Sequence, residues 1–129
     1  MTKTKSKKKT IVLVEDEQIM VDLLTKKLED AGYLVKVAKD GRSGLNLIRK
    51  AKPDLVLLDM MLPILDGFGV LEKLAAEKLL PALPVVVVSN SGQPIEIERI
   101  KKLGVRDYLI KINFDPKELL VKINLVLKS

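Results

Sequence analysis

From Thr10 onward, short runs of β-branched and leucine residues alternate with longer stretches whose apolar residues recur at helical spacing. The runs are Ile11-Val12-Leu13-Val14, Leu34-Val35-Lys36-Val37-Ala38, Leu55-Val56-Leu57-Leu58, Val85-Val86-Val87-Val88 and Tyr108-Leu109-Ile110. All but the second are almost wholly apolar, as strands covered on both faces are. The second keeps Lys36, which predicts an edge strand.

Between the runs, Ile19, Leu23, Leu24 and Leu28 predict one buried helical stripe, and Ala31-Gly32 closes that helix with the residue best suited to a left-handed C′ position. Gly44, Leu45 and Ile48 repeat the pattern before Pro53, and Val70, Leu71 and Leu74 repeat it before Pro81 and Pro84. Pro94 sits as a first-turn residue for Ile97, Ile100 and Leu103, closed by Gly104. Asp115-Pro116 is an N-cap and N1 pair opening a helix with Leu119, Leu120, Ile123 and Val126.

The pattern is (βα)5. Every connection is long enough for a crossover helix and none carries a hairpin signal, so right-handed crossovers require a parallel five-stranded sheet, doubly wound, with helices on both faces. No internal repeat or shift in composition marks a second domain, and we expect a leader over residues 1–9 and one folded unit over 10–129.

With 129 residues, 47% of them apolar and 31% charged, the chain suits one ordinary globular unit. It has no cysteine and no histidine, which excludes a disulfide framework, a thiolate or imidazole zinc site and a phosphohistidine made on this chain. Its chemistry must use carboxylates, hydroxyls and lysines. The net charge of +6 is largely local: Lys3, Lys5, Lys7, Lys8 and Lys9 supply most of it, leaving the rest of the chain close to neutral. Such a tract reads as a mobile, solubilising leader or as an electrostatic tether. Two Tyr, two Phe and no Trp offer no stacking platform, so direct nucleic-acid binding by the folded unit is not expected. No apolar run reaches the length of a membrane span and no secretory signal pattern follows the lysines, which predicts a cytoplasmic protein.

In an open parallel sheet, ligand chemistry gathers at the carboxyl ends of the strands. The residues just past those ends are Glu15-Asp16, Asp59, Ser89 and Lys111. Each has a plain reading: Asp16 stands where a helix N-cap belongs, Asp59 leaves a strand ahead of a proline turn, Ser89-Asn90-Ser91-Gly92 is ordinary loop composition, and a single lysine is usually solvated. Independent turn chemistry has no reason to put three acids, a hydroxyl and a lysine at one edge.

These residues carry a resemblance to the receiver domain of two-component response regulators, over essentially the whole chain from Thr10 to Lys128. The matching motifs are Glu15-Asp16, Leu57-Leu58-Asp59-Met60-Met61-Leu62-Pro63 with Asp66-Gly67, the Ser89 position and Asp107-Tyr108-Leu109-Ile110-Lys111. The resemblance implies a flavodoxin-like strand order 2-1-3-4-5, in which strands one and three are neighbours and the three acids share a crevice. It implies Asp59 as phosphoacceptor, with Lys111 and Ser89 contacting the phosphoryl oxygens. It implies Mg²⁺ held by Glu15, Asp16, Asp59 and the backbone carbonyl of Met61. Ser89 and Tyr108 would form a switch that moves when the phosphoryl group arrives. An all-oxygen donor set suits such a hard ion.

The implied donor is a sensor histidine kinase or a histidine phosphotransfer protein, because this chain has no histidine. No effector domain follows the fifth helix in this sequence, so unless the chain is cut from a longer regulator the expected output is contact with a protein target through the fourth helix, fifth strand and fifth helix. Apolar residues there, among them Ile95, Ile97 and Leu103, suit either a homodimer or packing. The chain is expected to catalyse only its own phosphorylation and dephosphorylation. Two positions depart from the family pattern: Ile112 follows Lys111 where proline is usual, and Asn90 follows Ser89 where a small residue is common. A cis bond before a non-proline residue costs about 3 kcal/mol, so a trans Lys111–Ile112 bond is expected. Two other readings stand beside this one. A degenerate receiver would serve as a phosphorylation-independent binding module. A haloacid-dehalogenase-like phosphatase needs a second Asp two residues after the nucleophile, where Met61 stands.

Overall fold

In the computed structural model, residues 8–90, 94–111 and 115–128 are described, without the side chains of Pro94 and Ile95. The elements follow the alternation read from the sequence: β1 (Thr10–Val14), α1 (Gln18–Asp30), β2 (Leu34–Ala38), α2 (Gly41–Ala51), β3 (Leu55–Asp59), α3 (Gly67–Ala76), β4 (Val85–Ser89), α4 (Pro94–Lys102), β5 (Asp107–Ile110) and α5 (Pro116–Lys128). The sheet is parallel with order β2-β1-β3-β4-β5. This is the flavodoxin-like (βα)5 architecture.

Alternation along each strand divides the core in two. Val12, Val14, Val56, Leu58, Val85 and Val87 point to one face, where α2 brings Leu45 and Ile48, α3 brings Val70, Leu71 and Leu74, and α4 brings Ile100. Ile11, Leu13, Leu55, Leu57, Val86 and Val88 point to the other, against Leu24 and Leu28 of α1 and Leu119 and Ile123 of α5. Strands β1, β3 and β4 therefore have both faces covered, which is why their runs between the strand ends lack polar residues. β2 is the edge that Lys36 predicted, and Leu34 and Val37 are also exposed there.

The helix ends obey local chemistry. Gly32, at φ 97°, takes the left-handed C′ position of α1, and the N–H groups of Gly32 and Tyr33 donate to the carbonyls of Glu29 and Leu28. Asp115 accepts at 2.9 Å from the Lys117 N–H, capping α5 as expected.

One stripe differs from its sequence reading. In α1 the buried residues are Val21, Leu24 and Leu28, while Ile19 is 83% exposed and Leu23 sits at the exposed margin. The spacing of three and four from Val21 gives the inward face; Ile19 and Leu23 fall beside it. Asp16 does not cap α1 either. The N-cap is Glu17, one residue later, and its side chain makes no cap bond.

Candidate functional site

Because the sheet is parallel, the carboxyl ends of β1, β3, β4 and β5 lie along one edge, and the order places β1 beside β3. Val14 pairs with Leu58, so the residues that follow them leave the sheet side by side. Glu15 prolongs the β1 ladder, its N–H donating to the Ala38 carbonyl at 3.0 Å, which holds its side chain inside; only 1% of the residue is exposed. Asp59 closes β3 at 3% exposure. Asp16 is exposed above them. One carboxylate oxygen from each of Glu15, Asp16 and Asp59 lies within 4.8 Å of the others. Asp16 and Asp59, far apart in the sequence, thus meet in the fold.

Lys111, just past β5, reaches across β4 and β3 into this cluster. Its Nζ lies 3.1 Å from Glu15 Oε1, 3.2 Å from Asp59 Oδ2 and 3.0 Å from Glu17 Oε1. The other oxygen of Asp59, Oδ1, accepts from the Met61 N–H at 3.2 Å. Glu15 Oε2 accepts from the Glu17 N–H at 3.1 Å, which turns the chain from β1 into α1.

Burial raises the Glu15 carboxyl above its ordinary value and the nearby Asp59 charge adds to this, against the opposing Glu17 N–H and Lys111. For Lys111, burial works against the ammonium, but hydrogen bonds to Glu17 and Glu15 and the fields of Asp59 and Glu15 outweigh it and hold its pKa above the ordinary lysine value. The lysine is therefore a fixed cation. Glu15, Glu17 and Asp59 share it and Asp16 stands beside them, leaving an excess of negative charge in a mostly buried crevice. Oxygen donors of this kind, crowded and under-neutralised, fit a hard divalent cation.

The remaining sequence candidates take these places. Ser89 ends β4, nearly buried, between the strands that deliver Asp59 and Lys111. Asn90 follows it at the surface, with Nδ2 4.0 Å from the Met61 sulfur. Met61 has an exposed side chain, and its contribution to the cluster is the N–H on Asp59. Tyr108 is half-buried near the opposite end of β5, packed against the core on the α2–α4 side, with the Lys101 ammonium 5.8 Å from its ring centre. Ile97 and Leu103 are partly buried, and Ile95 has no described side chain. The Lys111–Ile112 bond lies outside the described residues. α5 leaves Val121 and Leu125 exposed, which the reading of its buried stripe did not single out.

Sequence reasoning missed Glu17. Its signal was the run Glu15-Asp16-Glu17, one acid more than an acidic pair and a cap position account for. Glu17, Ile19, Met20, Asn90 and Lys111 line an open cleft of about 450 Å³, joined to the acidic cluster through the Lys111 ion pairs.

A family model described as the response regulator receiver domain matches residues 11–124. Protein PilH of Pseudomonas aeruginosa is 38% identical over 117 residues, which is 91% of this chain and 96% of that one. The alkaline phosphatase synthesis transcriptional regulatory protein PhoP of Bacillus subtilis is 36% identical over 120 residues, 93% of this chain and 49% of the relative. The chain spans about half the length of several such curated regulators, for instance 46% of the probable transcriptional regulator ycf27 of Guillardia theta, at 35% identity over 94% of this chain. Among solved structures, a CheY-like response regulator receiver domain protein from Methanospirillum hungatei superposes with TM-score 0.86 at 30% identity, covering 95% of each chain. Among the described residues no helix is long and apolar enough to cross a membrane. Matched over nearly its whole length in sequence and in fold, the chain belongs to the response regulator receiver domain family of two-component signalling.

Proposed function

We propose that this chain is a Mg²⁺-dependent phosphoacceptor switch, phosphorylated on Asp59 by a partner that carries a phosphohistidine. The observation that carries the reading is the meeting of Glu15, Asp16 and Asp59 with Lys111 at the carboxyl edge of the sheet. The phosphoacceptor role is general in the family, and the residues of this site suit it.

Glu15, Asp16 and Asp59 would hold the cation, with the Met61 carbonyl as a further ligand. When bound, the ion neutralises charge on the carboxylates and on the transferring phosphoryl oxygens. An Asp59 oxygen attacks phosphorus as the bond from phosphorus to the donor imidazole breaks, the electron pair returning to the imidazole nitrogen. The product is an acyl phosphate on Asp59. Lys111 exchanges a carboxylate partner for a phosphoryl oxygen, and the Ser89 hydroxyl donates to another. Movement of Ser89 draws Tyr108 inward and biases the α4–β5–α5 surface, which a downstream protein target reads. The exposed Val121 and Leu125 lie on that last helix. In this reading residues 10–129 form the receiver unit, residues 1–9 a basic leader, the protein acts in the cytoplasm, and the chemistry it promotes is confined to its own Asp59.

The test is intact mass after incubation with acetyl phosphate and Mg²⁺. Gain of one phosphoryl group by the wild type and none by Asp59→Asn is expected. No gain by a folded wild type, while another receiver gains one, overturns the switch and leaves the binding-module reading. Gain that survives Asp59→Asn means that the acceptor is another residue.

A further inference from the structure

An ammonium has three N–H donors, and Lys111 directs them at three different carboxylates: Glu17 Oε1 at 3.0 Å, Asp59 Oδ2 at 3.2 Å and Glu15 Oε2 at 3.3 Å. Two of these partners are also candidate cation ligands. A divalent cation and the Lys111 ammonium therefore compete for the same two carboxylates. A lysine side chain that is only 10% exposed, displaced from both Glu15 and Asp59, would be left as a buried charge without a counter-ion, and that penalty would weaken cation binding.

Glu17 is the partner outside the cation trio. Its side chain is 63% exposed, in contrast to the buried Glu15 and Asp59, and it lines the open cleft. As N-cap of α1 it gives no side-chain oxygen to the helix, which leaves the carboxylate to Lys111. Its backbone is fixed by the N–H bond to Glu15 Oε2, so the carboxylate is presented from a tethered position.

We propose that Glu17 is a positioning residue that receives Lys111 when a divalent cation takes over Glu15 and Asp59, and so lowers the cost of loading the site. The inference rests on the cation-dependent reading above. Glu17 acts through Lys111, keeping the ammonium charged, partnered and within reach of Asp59, from which place it turns to a phosphoryl oxygen.

Calorimetric titration of the full chain with Mg²⁺ tests this in four forms: wild type, Glu17→Gln, Lys111→Met and the double variant. With Lys111 present, Glu17→Gln is expected to weaken Mg²⁺ binding by roughly two- to fivefold, the scale of one partly exposed ion pair. With Lys111→Met the same substitution is expected to change it little, because a pair coupling disappears with either member. Equal weakening in both backgrounds would show only the general field of a nearby acid and overturns the inference, as does no weakening in either. A wild type that takes up no Mg²⁺ overturns the cation reading itself, a distinct outcome. Should Lys111→Met fail to fold, the ammonium resonance of Lys111 decides. It is expected to persist at saturating Mg²⁺ in the wild type and to vanish into exchange with water in Glu17→Gln. Persistence in both overturns the inference.

Discussion

Lys111 Nζ lies 3.2 Å from Asp59 Oδ2, both side chains are almost out of solvent, and the same ammonium also serves Glu15 and Glu17. One cation among that many acids leaves the metal-free site repulsive. Part of the fold's stability is given up to keep the carboxylates together.

Removing one charge should return some of it. Asp59→Asn keeps the shape and still leaves Lys111 with Glu15 and Glu17, so it is expected to stabilise the metal-free chain by about 1 kcal/mol, or roughly 3–5 °C in melting temperature. The same variant should lose most of the further rise that Mg²⁺ gives the wild type. Thermal melts with and without Mg²⁺ check both; a lower melting temperature for the metal-free variant would mean that the Lys111–Asp59 attraction outweighs the crowding.

Cation binding should also depend on acidity in a stated direction. The Glu15 carboxyl is raised above 4.5 by burial and by Asp59. A protonated Glu15 must release its proton to bind, so Mg²⁺ affinity falls as pH drops through that raised value and levels off above it. In the absence of metal the sign reverses for stability: the raised group contributes stability that is full below 4.5 and lost as pH rises through its folded value. The stabilisation by a fixed Mg²⁺ concentration is therefore expected to grow over the acid range through which Glu15 loses its proton and to flatten above it. Melts across that range in the wild type and Glu15→Gln measure it, and the variant should lose the slope.

Most of the fold was legible because β1, β3 and β4 are covered on both faces and leave no room for polar residues between their ends, while Gly32 and Asp115-Pro116 mark helix ends through local backbone chemistry. The order of the strands was not written in any local pattern; it came through the resemblance, because register and neighbours are set by long-range packing. Ile19 and Leu23 were assigned to the buried stripe because apolar spacing alone does not say which side of a helix faces the sheet. The positions of Glu15, Asp16, Asp59 and Lys111 followed from one rule about strand ends. Glu17 escaped because its value lies in reaching Lys111, ninety-four residues away along the chain.

The loop after β3 depends on an absent side chain. A Cβ at Gly67 would lie 2.6 Å from the Met60 Cα and 2.8 Å from the Asp59 carbonyl oxygen, both backbone atoms that cannot step aside. The Gly67 N–H meanwhile donates to the Met60 carbonyl at 2.9 Å. Gly67→Ala is expected to destabilise by about 2–3 kcal/mol and to slow phosphoryl gain, since the segment it displaces carries Asp59 and Met61. Gly32→Ala is the comparison: nothing lies within 4 Å of the place a methyl group would take there, so only the left-handed backbone is strained. A loss of about 1 kcal/mol is expected, with phosphorylation unchanged. Denaturant melts rank the two, and equal costs would remove the steric argument.

Lys111 makes a further prediction at high pH. Its folded pKa is raised above the ordinary 10.5 because the carboxylates of Glu17, Glu15 and Asp59 outweigh its burial. A raised basic group contributes stability that is full below its unfolded value and is lost as pH climbs through its folded one. The loss therefore begins above 10.5. Tyr33, whose hydroxyl bonds Asn124 and whose pKa burial raises above 10.0, acts in the same direction and must be removed first. In a Tyr33→Phe background, Lys111→Met should be clearly less stable near neutrality, and its deficit should shrink as pH rises past 10.5 because the parent alone loses the contribution. Denaturant midpoints measured from neutral to alkaline pH give the deficit directly. A deficit that stays constant through the alkaline range would mean that the lysine stabilises the site by packing and not by charge.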